Sequence, residues 1–579
     1  MAQNAIEALD AKLAALLADW SLSTTFLALL LLAFVAYPIF YSPEPDTHPL
    51  LLARQSSAGP VRSRNESANY RSPEVPYGFP LKSGLNVKDA GAPRWAPGRD
   101  GDLRDVWREV QKGDSEGGDG IVPKGLIMTV LGKEEVLEHE VEDLSREIGV
   151  MGKFLQERVG KGSGRVAVFL PNSVELLNTI FACAFYGLSP ILLPYDLSHP
   201  TVCEAINITG ADALVCAAGT LPLEDVAKHC QNLKLLTWVV EKSSRHMDWS
   251  GSPNSSLQVS VWHDIISENA TSTATSLPTN QPSDKLGNLL TVSQPVDSTQ
   301  PPTITSFTHS NLISATAALL AALPVRQRLN PSDLVLPADS LTHTYHLCQI
   351  LGTLYTHASL ALTPAANPHL PFSLATRGIS PTIILASPAT LLDHHTSQTA
   401  NLTSTLQSLL HTTHTQTLQA GRLPSDTWLF RLLAPSTTAS ANKPGTLRLI
   451  LTPHRLAVPA SDSPTLSSTQ LSDLRLLTQT RIVYALTHPA VAGAIAQTNV
   501  FDYRRDDGQG PAHFGVPVSS VEVRLRSDVD DDVAGNRPKG EMVVAGPAVA
   551  RKAEDGKGEG VVGVGVKAWV RGDCTLALV

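Results

Sequence analysis

The 579-residue chain is poor in charged residues, which make up 17% of it, and in aromatic residues, which make up 5%. The 45 Lys and Arg residues against 54 Asp and Glu residues give a net charge of -9, and no basic stripe stands out. This composition excludes a dedicated nucleic-acid-binding protein. The hydrophobic share of 42% is enough for a substantial core and excludes global disorder. The length corresponds to about three or four folding units, or to one large subdivided enzyme.

Cysteine is also scarce, and its spacing excludes two kinds of site. The six cysteines contain no Cys-x-x-Cys pair, so the sequence offers neither a disulfide framework nor a zinc site, and we expect buried free thiols. The histidines at 343, 346 and 357 and at 394–414 likewise match no metal-ligand spacing. No metal site is therefore predicted.

Charge is missing altogether from one segment near the N-terminus. No charged residue lies between Asp19 and Glu44, and residues 26–35 are wholly apolar. Because a membrane-spanning helix needs about 20 such residues, the segment predicts a transmembrane anchor at 21–42. Residues 1–20 place apolar side chains on one helical face and predict an amphipathic interfacial helix. A cleaved signal peptide and a mitochondrial presequence fit poorly, because acidic residues precede the apolar run.

The charges on either side of this segment predict its orientation. Lys12 is the only basic residue before it, whereas Arg54, Arg62 and Arg64 follow it. Positive residues favour the cytosolic side, so the C-terminal body is predicted to be cytosolic. Five Asn-x-Ser/Thr sequons favour the opposite orientation, but such matches arise by chance in a chain rich in Ser and Thr.

The rest of the chain predicts an α/β fold in layered subdomains. Strand 166–170, a helix from Ser173 to Tyr186 closed by Gly187, and strand 191–193 alternate as in a parallel sheet covered by helices. Apolar alternation within 515–548 predicts a small antiparallel β unit. The predicted divisions are a Pro/Gly/Arg-rich tether or wrapping arm at 43–109, a first α/β subdomain at 110–290, a second at 291–510 and a β-rich subdomain at 511–579.

Several short motifs resemble one family in their order and spacing. They are Arg165-Val-Ala-Val-Phe-Leu-Pro-Asn172, Thr308-His-Ser-Asn311, Tyr484-Ala-Leu-Thr-His488, Phe514-Gly-Val-Pro517 and Gly572-Asp573. Together they resemble the acyl-adenylate-forming, or AMP-binding, superfamily, and most nearly its long-chain fatty-acid–CoA ligases. That group is often membrane-anchored, and from it the endoplasmic reticulum is the default location.

The resemblance implies a two-step reaction that uses ATP, Mg²⁺ and coenzyme A. A carboxylate first forms an acyl-adenylate and releases pyrophosphate, and the coenzyme A thiolate then takes the acyl group. By the same resemblance Thr308, Tyr484, Thr487 and Asp573 are expected to contact the nucleotide. His343 is expected to line the substrate pocket.

The sequence departs from the family pattern in three places. Where the family has its glycine-rich phosphate loop, residues 295–304 contain no glycine and three prolines. Glycine permits close backbone approach to phosphate, and proline removes N–H donors. His488 stands where the family has the glutamate that binds Mg²⁺, a role for which imidazole is ill suited. Asp573 lies six residues from Val579, whereas the family continues into a C-terminal domain with a catalytic lysine.

These departures predict a membrane-anchored, acyl-CoA-synthetase-like protein whose adenylation is impaired or lost. It would act as a scaffold that binds a fatty acyl ligand or a partner ligase, and no catalytic residue is assigned. The alternative is an active long-chain fatty-acid–CoA ligase, an ATP-dependent acid–thiol ligase. A third hypothesis is a membrane-tethered domain that only spaces a complex.

Overall fold

The computed structural model describes residues 21–40 and 44–579, with gaps at 90–91, 94, 114–115, 118–119, 122, 132–134, 161–163, 241–256, 270–276, 280–283, 298–299, 401–404, 425–446, 506–509, 528–531, 534, 536 and 552–559. The chain divides into two compact units, residues 1–46 and residues 47–579. The amphipathic helix predicted at residues 1–20 lies outside the described residues.

Helix α1 spans Leu22–Phe40, the described helix of the first unit. At its start the backbone N–H of Thr24 donates to Ser21 Oγ and that of Ser21 donates to Thr24 Oγ1, at 3.3 and 2.7 Å. Nineteen residues rise about 28 Å, slightly less than a hydrocarbon core of about 30 Å. Within the described ranges, no helix is long and apolar enough to cross a membrane. The predicted transmembrane anchor at 21–42 is therefore not supported by the structure.

The second unit contains helices of four to nineteen residues, and several begin and end at the expected signals. Ser173 caps the helix that follows it by accepting a hydrogen bond from Leu176 N at 3.3 Å, and Gly187 ends that helix with φ 69°. The helices are α2 (Pro49–Ala53), α3 (Leu103–Gln111), α4 (Val141–Val159), α5 (Val174–Tyr186), α6 (His199–Thr209), α7 (Leu223–His229), α8 (Trp262–Glu268), α9 (His309–Ala322), α10 (Thr344–Tyr355), α11 (Phe372–Ala375), α12 (Pro388–Ala400), α13 (Thr405–Gln419) and α14 (Ser468–Thr478), with a short 3₁₀ helix at Val325–Gln327.

A seven-stranded sheet follows the alternating pattern predicted around residue 166. Its strands are parallel except at one edge, where the two strands that come last in the sequence form an antiparallel hairpin. Its strands are β7 (Arg165–Phe169), β8 (Ser189–Leu192), β9 (Ala213–Ala217), β10 (Leu235–Val239), β11 (Gln258–Val261), β12 (Leu289–Ser293) and β13 (Thr303–Phe307), in the order β11-β10-β9-β7-β8-β12-β13.

A nine-stranded sheet has a parallel centre and antiparallel edges. Strand β17 is buried along all seven residues, as expected of a strand covered on both faces. The strands are β5 (Ile127–Val130), β6 (Val136–His139), β14 (Leu334–Pro337), β15 (Ser359–Leu362), β16 (Ile383–Leu385), β17 (Leu449–Arg455), β18 (Arg481–Thr487), β19 (Ala496–Gln497) and β20 (Val516–Pro517), in the order β20-β19-β18-β17-β16-β14-β15-β5-β6. A small hairpin, β3 (Glu116–Gly117) and β4 (Gly120–Ile121), stands apart.

The third large sheet is antiparallel and joins distant parts of the sequence. Two strands from the predicted tether pair with four strands from the predicted β-rich region, through Tyr70 opposite Val523. The strands are β1 (Ser57–Val61), β2 (Ala68–Arg71), β21 (Glu522–Arg526), β22 (Lys539–Gly546), β23 (Gly560–Val570) and β24 (Leu576–Leu578), in that spatial order. The predicted α/β class, with parallel sheets and an antiparallel sheet, is confirmed.

Two long helices of the core lie close together. Helices α9 and α10 pack against each other, and α10 also packs against α3. A Cβ atom at Gly352 on α10 would lie 3.1 Å from the Leu320 side chain on α9, so the glycine permits this close approach. The cysteines are free, as predicted, and all but Cys574 are buried.

Candidate functional site

A cavity of about 120 Å³ opens where the two parallel sheets present the carboxyl ends of their strands. In open α/β sheets ligands bind at such edges, because the loops that follow the strands converge there. Thr291 and Val292 of β12 and the residues after β8 line one side, Arg455 of β17 and Thr487 of β18 line the other, and the loop before α10 closes it.

Two of the five predicted site residues line this cavity. His343, just before α10, and Thr487, at the end of β18, both face it. The hydroxyl of Thr487 donates to the carbonyl oxygen of His454 at 3.1 Å, which fixes the end of β18 against β17. Thr308, Tyr484 and Asp573 are not among the lining residues.

His343 makes its closest polar contact with Arg455, whose guanidinium donates to the ring Nε2. Burial first, and then the neighbouring Arg455 charge, lower the pKa of His343 well below its ordinary value. The ring is therefore neutral at pH 7 and accepts at Nε2. A neutral imidazole in this position can accept from or donate to a ligand but supplies no positive charge.

Arg455 and Asp339 form a buried charged pair that the sequence analysis missed. Their side chains are 9% and 0% exposed, and Arg455 Nη2 lies 3.8 Å from Asp339 Oδ2. Burial opposes the charge on Asp339, but Arg455 and the neighbouring histidines outweigh it, so the pKa of this carboxyl lies below its ordinary value. Arg455 Nε and Asp339 Oδ2 have no hydrogen-bond partner among the described residues. The signal available in the sequence was a lone arginine four positions after the apolar run 449–451.

Thr308 caps α9 in the structure. Its hydroxyl accepts from Asn311 N at 3.2 Å, and its backbone N–H donates to Asn311 Oδ1 at 2.9 Å, which makes a reciprocal capping box. The Asn311 amide also donates to the carbonyl oxygens of Pro547 and Val549, at 2.6 and 3.1 Å. The motif therefore ties α9 to the segment after β22.

Tyr484 is fully buried in β18, away from the cavity. Its hydroxyl oxygen accepts from Leu466 N at 3.1 Å, and its ring lies 4.7 Å from that of Phe514. Burial raises the pKa of Tyr484, so the phenol stays neutral. In this conformation the ring is part of the core and offers no open face for stacking.

The family match follows from the sequence as a whole. Residues 140–552, well over half of the chain, match the family described as AMP-binding enzyme. The chain belongs to the AMP-binding enzyme family. Family membership implies a site for ATP or AMP. No curated protein matches the sequence significantly.

Three solved structures share the fold of this chain. A long-chain-fatty-acid–CoA ligase from Archaeoglobus fulgidus matches with a TM-score of 0.57 at 15% identity, over 86% of each chain. The N-terminal domain of FACL13 from Mycobacterium tuberculosis matches with a TM-score of 0.55 at 14% identity, over 83% of this chain and 100% of that one. The anthranilate CoA ligase AuaEII, in complex with anthranoyl-AMP, matches with a TM-score of 0.56 at 15% identity, over 85% of this chain and 79% of that one. At sequence identities this low, the structural similarity establishes a shared fold and nothing further.

In this AMP-binding family member, the segment at the phosphate-loop position joins the two strands of a hairpin. Ser293 at the end of β12 pairs with Thr303 at the start of β13, and the residues between them include Pro301 and Pro302. Residues 294–304 contain no glycine. Proline has no N–H to donate, and phosphate cradles consist of convergent backbone N–H groups. This segment does not fit a triphosphate.

His488 follows Thr487 at the position where the family has its Mg²⁺-binding glutamate. Its Nδ1 accepts from Ala490 N at 3.1 Å, and burial lowers its pKa to about 4, so the ring is neutral at pH 7. Within the described part of the chain, no group of three or more His, Cys, Asp or Glu residues is placed to hold a metal ion. The imidazole of His488 does not fit Mg²⁺ at this position, because Mg²⁺ prefers oxygen ligands.

Asp573 lies in the turn between β23 and β24 and takes part in an ion-pair network. Arg504 Nη2 is 2.7 Å from Asp573 Oδ2 and 2.6 Å from Asp502 Oδ2. Burial opposes the Asp573 charge, but hydrogen bonds from Thr575 and the Arg504 charge outweigh it and lower the pKa of this carboxyl. Asp573 is thus held by neighbours within the chain, and its expected contact with the nucleotide stays a prediction.

Proposed function

We propose that this protein is an acyl-CoA-ligase-like member of the AMP-binding family whose adenylation is impaired or lost, and that it serves as an acyl-binding or regulatory scaffold. The observation that carries the proposal is the glycine-free segment between β12 and β13. It stands at the edge of the cavity, where Ser293 and Gln294 belong to the lining. A nucleotide there would meet two adjacent prolines in place of a set of N–H donors.

The charges around the cavity support the same conclusion. Among the described residues that line it, Arg455 is the only side chain with a full positive charge, and Asp339 behind it offsets that charge. Asp196 and Asp462 add carboxylates, and His343 and His488 are neutral. Phosphoryl chemistry needs cations arranged around the developing negative charge. The described lining of this cavity has no surplus of positive charge.

The size and lining of the cavity favour a small, partly apolar ligand. Its volume of about 120 Å³ is well below the roughly 300–1,000 Å³ of pockets that hold drug-sized molecules. Leu197, Val292, Leu456 and Val458 supply apolar surface beside the polar groups. Such a lining suits part of an acyl chain or a small carboxylic acid. Coenzyme A binding is not implied by these contacts and stays a prediction from the family.

We further propose that the protein is attached to a membrane, with the endoplasmic reticulum as the default site and the body in the cytosol. The support is the apolar sequence of α1, which carries no charged residue, and the arginines that follow it. An apolar helix of this kind in water would expose a continuous hydrophobic surface. Burial of α1 in lipid would remove that surface from water.

The test measures ATP binding and acyl-adenylate formation on the purified full-length chain. We expect no heat of ATP binding in titration calorimetry at micromolar concentrations, with or without Mg²⁺. We also expect no AMP release with fatty acids of several lengths and coenzyme A. Stabilisation by fatty acids in a thermal shift assay, reduced by Val292→Asp in the cavity wall, would support acyl binding. Val325→Asp, at an exposed residue that does not line the cavity, is the matched control.

The alternative is an active long-chain fatty-acid–CoA ligase. It is favoured by the position of Thr487, which lines the cavity at the end of β18 as the family motif requires. The fold likeness to a long-chain-fatty-acid–CoA ligase agrees with this alternative. ATP-dependent AMP release by the purified protein, abolished by Asp573→Ala, would establish it and overturn the proposal of impaired adenylation.

A further inference from the structure

Residues 47–80, which we call the arm, expose an unusual amount of apolar surface. Leu50 and Leu51 on α2 are 74% and 65% exposed, and Val61, Tyr77 and Phe79 are each more than half exposed. These five side chains fall within 30 consecutive residues. Exposed apolar side chains grouped on a surface are typical of sites that contact protein or membrane.

The exposure does not result from a loosely attached segment. Gln55 N donates to the carbonyl oxygen of Asp573 at 2.8 Å, and β1 and β2 extend the antiparallel sheet through Tyr70. The Tyr77 ring packs over β1, where a Cβ atom at Gly59 would lie 3.1 Å from it. The arm backbone is therefore fixed, and the large apolar side chains project from a fixed support.

The exposed charge of the arm is mainly positive, although the whole chain has a net charge of -9. The arm contains four arginines and two glutamates. Arg71 is neutralised by Glu522 at 2.6 Å, and Glu66 by Arg524 at 3.1 Å. Arg62 also lies 3.6 Å from Glu522, but about half of its side chain is exposed. Arg54 and Arg64 are exposed, and so is Glu74. Arginines beside exposed apolar residues are typical of surfaces that contact anionic lipid.

The connection between α1 and the arm is short in sequence. Helix α1 ends at Phe40 and the arm begins at Thr47, seven peptide units along the chain. Seven residues span at most about 25 Å when fully extended. The stretch of sequence between α1 and the arm is therefore short.

We propose that the arm is a second lipid-docking surface, selective for anionic headgroups. Leu50, Leu51 and Phe79 enter the boundary between headgroups and acyl chains. Arg54, Arg62 and Arg64 contact the lipid phosphates and carboxylates. The inference rests on the proposed membrane attachment of α1, and adds that the body itself is held against the membrane.

The experiment uses the full-length chain reconstituted in vesicles of phosphatidylcholine, with or without phosphatidylserine. Trypsin cleavage after Arg54, Arg62 and Arg64 is followed by mass spectrometry, and cleavage after the exposed Arg326 serves as the internal reference. Each arginine near an anionic surface contributes about fivefold in affinity. We therefore expect cleavage within the arm to slow at least tenfold when phosphatidylserine is present, with cleavage at Arg326 unchanged.

The combined variant Leu50→Ser, Leu51→Ser and Phe79→Ser tests the apolar part of the surface. We expect it to lose the protection while still sedimenting with vesicles. The matched control, Val325→Ser with Leu374→Ser, alters exposed apolar residues outside the arm and should keep the protection. Circular dichroism checks that each variant folds.

Three outcomes would overturn the inference. If the protein sediments with vesicles but the arm is cleaved equally fast in both lipids, the inference fails and membrane attachment stands. If the protein does not sediment with vesicles, both the lipid-docking inference and the proposed membrane attachment fail. If the arm is equally protected without lipid, a protein partner or a second copy covers it, and lipid docking is wrong.

Discussion

The side-chain amide of Gln55 donates a hydrogen bond to Asp502 Oδ2 at 2.7 Å, across 447 positions of sequence. The same carboxylate accepts from Arg504, and the Gln55 backbone N–H donates to the carbonyl oxygen of Asp573. The arm thus meets the turn that resembles a nucleotide-binding motif of the family. The polar contacts of Gln55 fall on the Asp502 side chain and on the backbone of Asp573.

Gln55→Ala should destabilise the second unit by about 1.5–3 kcal/mol, because a hydrogen bond to a buried charged group is lost. The change is measured as a lower midpoint of urea unfolding. Gln300→Ala, at an exposed glutamine, is the matched control and should change the midpoint little. Equal midpoints for the two variants would mean that the contact with Asp502 contributes no stability.

Arg455→Met should destabilise the protein by about 3 kcal/mol, because it leaves the buried Asp339 carboxylate without its cation. The double variant Arg455→Met with Asp339→Asn should recover most of this loss, because no buried charge remains. Urea unfolding of the wild type, both single variants and the double variant measures the coupling. Simply additive losses would show that the two side chains do not stabilise each other.

Gly515→Ala should cost roughly 2 kcal/mol or more, because the native backbone there is left-handed and crowded. Gly515 has φ 72°, and an added Cβ atom would lie 2.1 Å from the carbonyl oxygen of Gln497. Gly510→Ala is the control, because no atom lies within 4 Å of its Cβ position. Thermal unfolding of both variants separates this local strain from the general effect of adding a methyl group.

Asp473 should contribute stability that disappears in acid. Its side chain joins α14 to α12 and α13, lying 3.3 Å from both His395 and His411. Burial opposes its charge, but hydrogen bonds from these histidines outweigh it and lower the pKa to about 2, from an ordinary value of 3.8. The contribution is therefore complete above pH 3.8 and is lost as the pH falls toward 2.

At pH 6 we expect Asp473→Asn to lower the free energy of unfolding by about 1 kcal/mol. This figure is smaller than the energy equivalent of the full pKa shift, because water screens this partly exposed group. The gap in unfolding free energy between variant and wild type should shrink between pH 4 and pH 2. A gap that stays constant over this range would show that the histidines interact with Asp473 no better than with an amide.

The parallel layers could be predicted from the sequence because their signals are local. Ser173, the apolar run 166–170 and Gly187 each act on neighbouring residues, and the predicted helix matches Val174–Tyr186. The antiparallel unit was likewise expected from alternation, but the two strands that the arm adds to it were not. Their pairing depends on residues hundreds of positions away, such as Val523 opposite Tyr70.

The candidate site was predictable only in part, for a similar reason. His343 and Thr487 occupy motif positions at strand or helix ends, where such residues face the cavity. Thr308 fits its motif, but its hydroxyl is used to cap α9. Arg455 was missed because its importance comes from His343, 112 positions earlier, and from Asp339, and no local pattern brings these residues together.

The antiparallel sheet also has a consequence for biosynthesis. Asn69, in β2, donates to Glu522 in β21, 453 positions later. At about 5–20 residues per second, a ribosome needs roughly 20–90 seconds to make that interval. For this time the hairpin of β1 and β2 lacks β21, the strand that pairs with the other edge of β2, and this open edge can associate with other chains. Until translation of β21 is complete, a chaperone or an early surface contact can shield this edge.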